Sequence, residues 1–105
     1  MKTYRFAIES WRKNLNVETT RIEIINKLGL HARAASKFSS TCAKFASKIS
    51  VTKDSKTVDG KSIMSLMLLA APIGTMLEIT CNGADETEAL KAITDLINNR
   101  FDEAE

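Results

Sequence analysis

The sequence has 105 residues, 44% hydrophobic and 27% charged, which falls in the ordinary globular range and within the length of one domain built on one small core. Cys42 and Cys81 stand 39 positions apart, in no metal-ligand or redox spacing, so they read as free thiols of a reducing, cytosolic setting, and the longest apolar stretch, Leu66 to Ile73 across Pro72, is far short of the roughly 20 residues that cross a bilayer. The formal charge of +2 hides two opposed halves: eight Lys or Arg against two acids between Lys27 and Lys61, net +6, and eight acids against two bases between Glu78 and Glu105, net −6.

Residues 1–17 read as a separate basic extension and 18–105 as the patterned domain. In the extension Tyr4, Ile8, Trp11 and Leu15 recur at helical spacing, consistent with an amphipathic helix, while Arg5, Glu9, Arg12 and Lys13 interrupt any secretory signal, so export is not expected. Arg21 to Ile25 alternates polar and apolar and predicts a first strand. Asn26 to Gly29 leads into Ala32 to Ser47, where Ala35, Phe38, Cys42 and Phe45 repeat every three or four residues, the pattern of a helix with one apolar face. Ile49 and Val51 alternate with polar neighbours, Asp54-Ser55 turns, and Lys56 to Asp59 pairs back as a hairpin strand. Ser62 is a good N-cap for a short apolar helix over Ile63 to Ala70, which Pro72 and Gly74 block. Leu77, Ile79 and Cys81 predict a fourth strand. Asp85 with Glu88 suggests a near capping box for a last helix whose core face is Ala89 or Leu90, Ile93, Leu96 or Ile97, and Phe101. The order β-α-β-β-α-β-α predicts an α+β fold: an open-faced sandwich of a four-stranded antiparallel sheet covered on one face by three helices.

Several chemistries fail for want of residues. One histidine and two distant cysteines make no metal site. Gly60-Lys61-Ser62 imitates the end of a phosphate-binding loop, but Ser55 stands where the pattern needs glycine, and no nucleophile elbow is present. What remains is His31, placed where a strand ends and a helix starts. Such a helix start presents unpaired N–H groups and the positive end of the dipole to an anion. A neutral imidazole nitrogen is a competent nucleophile near neutral pH, and Arg33 adds a fixed charge with fork geometry for phosphoryl oxygens. Gly29 permits close backbone approach, and Leu30 can anchor the turn. On these grounds alone, a histidine that only caps or packs stays an open alternative.

The stretch Leu28-Gly29-Leu30-His31-Ala32-Arg33-Ala34 resembles the active-site signature of the HPr family, the histidine-containing phosphocarriers of the phosphoenolpyruvate-dependent sugar phosphotransferase system. Val58-Asp59-Gly60-Lys61-Ser62-Ile63-Met64 resembles the family's regulatory serine region at the expected distance, and roughly residues 19–101 follow the family pattern. The resemblance implies that His31 takes a phosphoryl group from phosphorylated enzyme I and passes it to an enzyme IIA component. Arg33 would stabilise the phosphate, and the Ala32 and Ala34 backbone would supply donors. It also implies Ser62 as a possible target of HPr kinase/phosphorylase, and a monomeric cytoplasmic carrier with no cofactor, no metal and no nucleic-acid partner. Ala34 replaces the proline most members carry, which should loosen the first turn modestly. Ser65 stands where glycine is common. Ile63, Met64, Met67 and Leu68 cannot all face one core from two turns, so Ile63, Met64 and Met67, with Lys37, Lys53 and Lys61 as a basic rim, are the expected partner surface.

Within the same class, Asn99 to Glu103 also resembles a nitrogen-related regulatory branch of that system. The reading from another class is a non-phosphorylated binding module using the basic 27–61 segment on nucleic acid; it would show steep salt dependence and tolerate loss of His31, and the scarcity of aromatics there argues against it.

Overall fold

Alternation of polar and apolar residues builds the sheet. The computed structural model describes residues 17–105, so the expected amphipathic helix of the extension lies outside the described residues, and Val17 already opens the first strand. The elements run β1 (Val17–Glu23), α1 (Ala32–Cys42), β2 (Lys48–Lys53), β3 (Lys56–Asp59), α2 (Ile63–Leu68), β4 (Met76–Asn82), α3 (Glu86–Asn98) and a 3-10 turn (Arg100–Asp102). The strands form one antiparallel sheet in the order β1-β4-β2-β3. Ile79 lies between Thr20 and Val51, and Cys81 between Glu18 and Ile49, so Ile49, Val51, Leu77, Ile79 and Cys81 are buried on one face. The other face is hydroxylic, with Thr19 paired to Thr80 at 3.1 Å and Thr52 to Thr57 at 2.8 Å.

All three helices cover the apolar face, giving the open-faced sandwich expected from the order of elements. Helix α1 contributes Ala34, Ala35, Phe38 and Cys42, α2 contributes Leu66, and α3 contributes Ala89, Ile93 and Ile97. Each large aliphatic or aromatic side chain buried here contributes about 1.5–3 kcal/mol. Both cysteines are free. Burial pushes the Cys42 thiol up to about 12 and the Cys81 thiol up to about 11, so both are protonated core residues at neutral pH.

Four boundaries differ from the sequence reading, each through a long-range contact. Strand β1 starts four residues before Arg21 because it pairs with β4 along its whole length, from Val17 opposite Asn82 to Glu23 opposite Met76. Helix α1 stops at Cys42 instead of Ser47, because the Ala46 and Ser47 amides donate to the Asp85 carboxylate at 2.8 and 2.9 Å, and the Ser47 hydroxyl also bonds it. Asp85 therefore makes no side-chain cap for α3, and the expected capping box is replaced by a tie between α3 and the entry to β2. Helix α2 ends at Leu68 rather than Ala70, where Lys53 donates to the carbonyls of Leu69 and Ala70, both at 3.0 Å. Phe101 is fully buried as expected, but from the 3-10 turn, where Arg100, Phe101 and Asp102 have φ of 56°, 54° and 64°.

Candidate functional site

The loop between β1 and α1 is fixed to the segment before β4. Ile24 donates to the Thr75 carbonyl at 2.9 Å, and Leu30, almost completely buried, donates to the Ala71 carbonyl at 2.9 Å. Gly29 has φ +67°, and a Cβ there would lie 2.5 Å from the Ala71 carbonyl oxygen and 2.8 Å from Pro72 Cα. Both the left-handed backbone and the close approach require glycine. The loop delivers His31 as the N-cap of α1, with φ −79° and ψ −178°, and its ring makes no bond to the helix amides. The first helical bond runs from the Ala35 amide to the His31 carbonyl at 2.8 Å. The amides of Ala32, Arg33 and Ala34 are thus those an α-helix leaves without acceptors, at the positive end of its dipole.

The His31 ring, its side chain 29% exposed, is held from the other end of the sequence. Its Nε2 lies 2.5 Å from Glu103 Oε2. The second carboxylate oxygen accepts from Asn26 Nδ2 at 3.0 Å, and the same amide donates to the Gly29 carbonyl at 2.8 Å. Asn26 is fully buried. Burial pushes the Glu103 carboxyl up, but the hydrogen bonds from Asn26 and His31, with the attraction of His31 and Lys37, outweigh it and hold the group below the usual carboxylate range. Lys37 donates to the Phe101 carbonyl at 2.9 Å and lies 3.6 Å from Asp102. The cleft so formed has a volume of about 730 Å³ and brings together Lys27, His31, Ala32, Arg33, Glu103 and Glu105, among others. A smaller depression of about 440 Å³ lies on the polar sheet face between Arg21 and Glu78; it contains neither histidine nor cysteine.

The second stretch singled out by the sequence is built differently. Ser62 is the N-cap of α2; its Oγ accepts from the Ser65 amide at 3.2 Å and donates to Ser65 Oγ at 3.0 Å. Beyond it Ile63, Met64, Met67 and Leu68 are exposed, Met64 at 70% and Leu68 at 67%, and Leu28 beside His31 is exposed at 66%. The basic rim is partly committed: Lys61 donates to the Phe45 carbonyl at 2.8 Å, Lys53 closes the end of α2 and Lys37 holds Phe101.

The comparisons with known proteins agree with one another. Residues 18–99 match the family described as the PTS HPr component phosphorylation site. The chain is 60% identical over 84 residues to the phosphocarrier protein HPr of Neisseria meningitidis, covering 80% of this chain and 94% of that one. Against HPr of Pseudomonas aeruginosa it is 53% identical over 85 residues, with the same shares covered. A solved HPr from Thermoanaerobacter tengcongensis superposes with a TM-score of 0.81 at 46% identity, covering 84% of this chain and 99% of that one. The chain belongs to the HPr phosphocarrier family. Within an HPr fold, His31, Arg33 and the Ala32 and Ala34 amides share one helix start, while Ser62 and the exposed α2 residues lie on a separate element. Sequence reasoning missed Glu103 and gave Asn26 no role. Nothing local marks them: Glu103 is one of a run of acids 72 positions from His31, and Asn26 is a loop asparagine until its burial is known.

Proposed function

We propose that this HPr-family protein is a phosphoryl carrier of the phosphotransferase system, with His31 accepting the group from phosphorylated enzyme I and passing it to an enzyme IIA component. The observation that carries the reading is a partly exposed histidine at an uncapped helix start, beside Arg33, in a cleft open to a macromolecular donor. Glu103 occupies Nε2, and among the described residues no hydrogen bond to Nδ1 is present, so Nδ1 is the nitrogen with a lone pair for phosphorus. On loading, the Nδ1–P bond forms as the donor's P–N bond breaks and the electron pair returns to the donor nitrogen; on discharge, the bond to the acceptor forms as Nδ1–P breaks and the pair returns to Nδ1. Arg33 and the free amides of Ala32 and Ala34 balance the charge of the phosphoryl oxygens. The protein is then a carrier rather than an enzyme: the phosphohistidine is transient and each transfer needs a partner.

The partner face in this reading is Leu28, beside the histidine, with the exposed Ile63, Met64, Met67 and Leu68 of α2, whose methionines adapt to more than one partner. Phosphorylation of Ser62 by an HPr kinase/phosphorylase would break the Ser62–Ser65 hydroxyl bond and add about −1.5 to −2 charges to that surface, weakening partners that bury it. The carrier unit is cytoplasmic and starts at Val17, the first residue of β1, and the basic segment before it is an appendage. The test is intact mass after incubation with phosphoenolpyruvate and enzyme I. One acid-labile phosphate that is absent from His31→Ala supports the reading; no addition, or addition retained in His31→Ala, contradicts it.

A further inference from the structure

Segment 99–105 is tied down over the cleft at several points. Phe101 is fully buried, Lys37 grips its carbonyl, and the Lys27 amide donates to the Glu105 carbonyl at 2.5 Å. Three consecutive non-glycine residues, Arg100, Phe101 and Asp102, adopt the left-handed region to make the turn, a conformation that persists only where surrounding contacts enforce it. The product of this arrangement is one carboxylate with each oxygen on a different donor: Oε1 on buried Asn26, and Oε2 on His31 Nε2.

We infer that Glu103 is a positioning residue for phosphoryl transfer: it holds His31 as the Nε2–H tautomer, frees Nδ1, and faces the positive charge the ring gains when Nδ1 bonds to phosphorus. The inference rests on His31 being the acceptor. When the Nδ1 lone pair forms its bond to phosphorus, the proton stays on Nε2 and the ring becomes cationic. A carboxylate already hydrogen-bonded there stabilises that cation without moving, as the buried aspartate of a hydrolase triad does for its histidine. Asn26 matters because it supplies a donor that only an oxygen can satisfy. In Glu103→Gln, one of the two sites must face an NH₂ group. If Asn26, which is buried and cannot turn to water, keeps the oxygen, the NH₂ meets Nε2 and drives the proton to Nδ1.

The test reads the unphosphorylated protein first, so that its failure is separable from failure of His31 as acceptor. With ¹⁵N-labelled histidine, NMR at a pH where the ring is neutral reports the tautomer directly, since His31 is the only histidine. The wild type is expected as Nε2–H, Glu103→Ala as a mixture, and Glu103→Gln shifted towards Nδ1–H. Phosphorylation by enzyme I should slow on the order of ten- to a hundredfold, the range for losing a charge-assisted hydrogen bond, and more in Gln than in Ala. A purely structural role predicts the opposite ranking, because Gln fills the space and Ala does not. A wild-type ring in the Nδ1–H form, or variants with wild-type tautomer populations or transfer rates, overturns the inference.

Discussion

At the start of α1 the N-cap is His31, whose ring is committed to Glu103 and gives nothing to its own helix; at the start of α2 the N-cap is Ser62, whose Oγ accepts from the Ser65 amide. Each start follows a glycine two residues earlier and an extended cap residue, yet one is open and the other closed. A serine cap contributes about 1 kcal/mol to a helix, and α1 forgoes it. Eleven residues long, with Ala34, Ala35, Phe38 and Cys42 in the core, α1 is held by packing and does not need the cap. Helix α2 has six residues and buries only Leu66, so its start must be satisfied locally. The helix start left without a side-chain cap is therefore the one that tertiary packing already secures.

That contrast can be broken at its hinges. The largest effect is expected from Gly29→Ala, which puts a Cβ in the left-handed region and against Ala71 and Pro72; denaturant unfolding should show a loss of roughly 2–4 kcal/mol. Next, Ser62→Ala removes the local cap of α2 and should cost about 1 kcal/mol, while leaving phosphorylation at His31 in place. Closing the open start should do the reverse: His31→Ser is expected to be about 0.5–1 kcal/mol more stable than His31→Ala, because a serine at this N-cap can accept from the first-turn amides. If the two variants have equal stability, the amides at α1 are not available and the contrast fails.

The smallest effect is on the acid limb of stability. The Ser47 hydroxyl, then the Ala46 amide and the remaining bonds, hold the Asp85 carboxyl below its usual range, and Glu103 is lowered as well. Both contribute stability that is complete above the unfolded carboxylate pKa, about 4, and is lost as pH falls through the lower folded values. Thermal unfolding followed between about pH 5 and pH 2 should show Tm falling in the wild type. Asp85→Asn should start from a lower Tm at neutral pH and fall less steeply, since asparagine binds no proton and supplies only one acceptor oxygen for the three donors.

Local periodicity carried most of the fold. The alternation in Leu77, Ile79 and Cys81 fixed one buried face, the spacing in the last helix left Ala89 or Leu90 and Leu96 or Ile97 as alternatives that packing decides for Ala89 and Ile97, and Ser62 marked the start of α2. The motif around His31 and its likeness to HPr pointed to the site. What sequence did not reveal depends on partners far along the chain. Asp85 looks like a helix cap, yet it binds Ala46 and Ser47 on a segment 38 and 39 residues away. Glu103 reads as one acid among several, because the turn that returns it to His31 uses left-handed arginine, phenylalanine and aspartate, for which no residue-type signal exists. The methionines at 64 and 67 were legible as a surface because a two-turn helix has too few inward positions for four large apolar residues.

The most direct test of the account is the position of the phosphoryl group on the ring. Phosphorylation with phosphoenolpyruvate and enzyme I, followed by ³¹P–¹⁵N NMR on histidine-labelled protein, resolves the two nitrogens of the single histidine. The account predicts one phosphate coupled to Nδ1 of His31, with Nε2 still bearing its proton beside Glu103. Phosphate on Nε2, or on a residue other than His31, would contradict it.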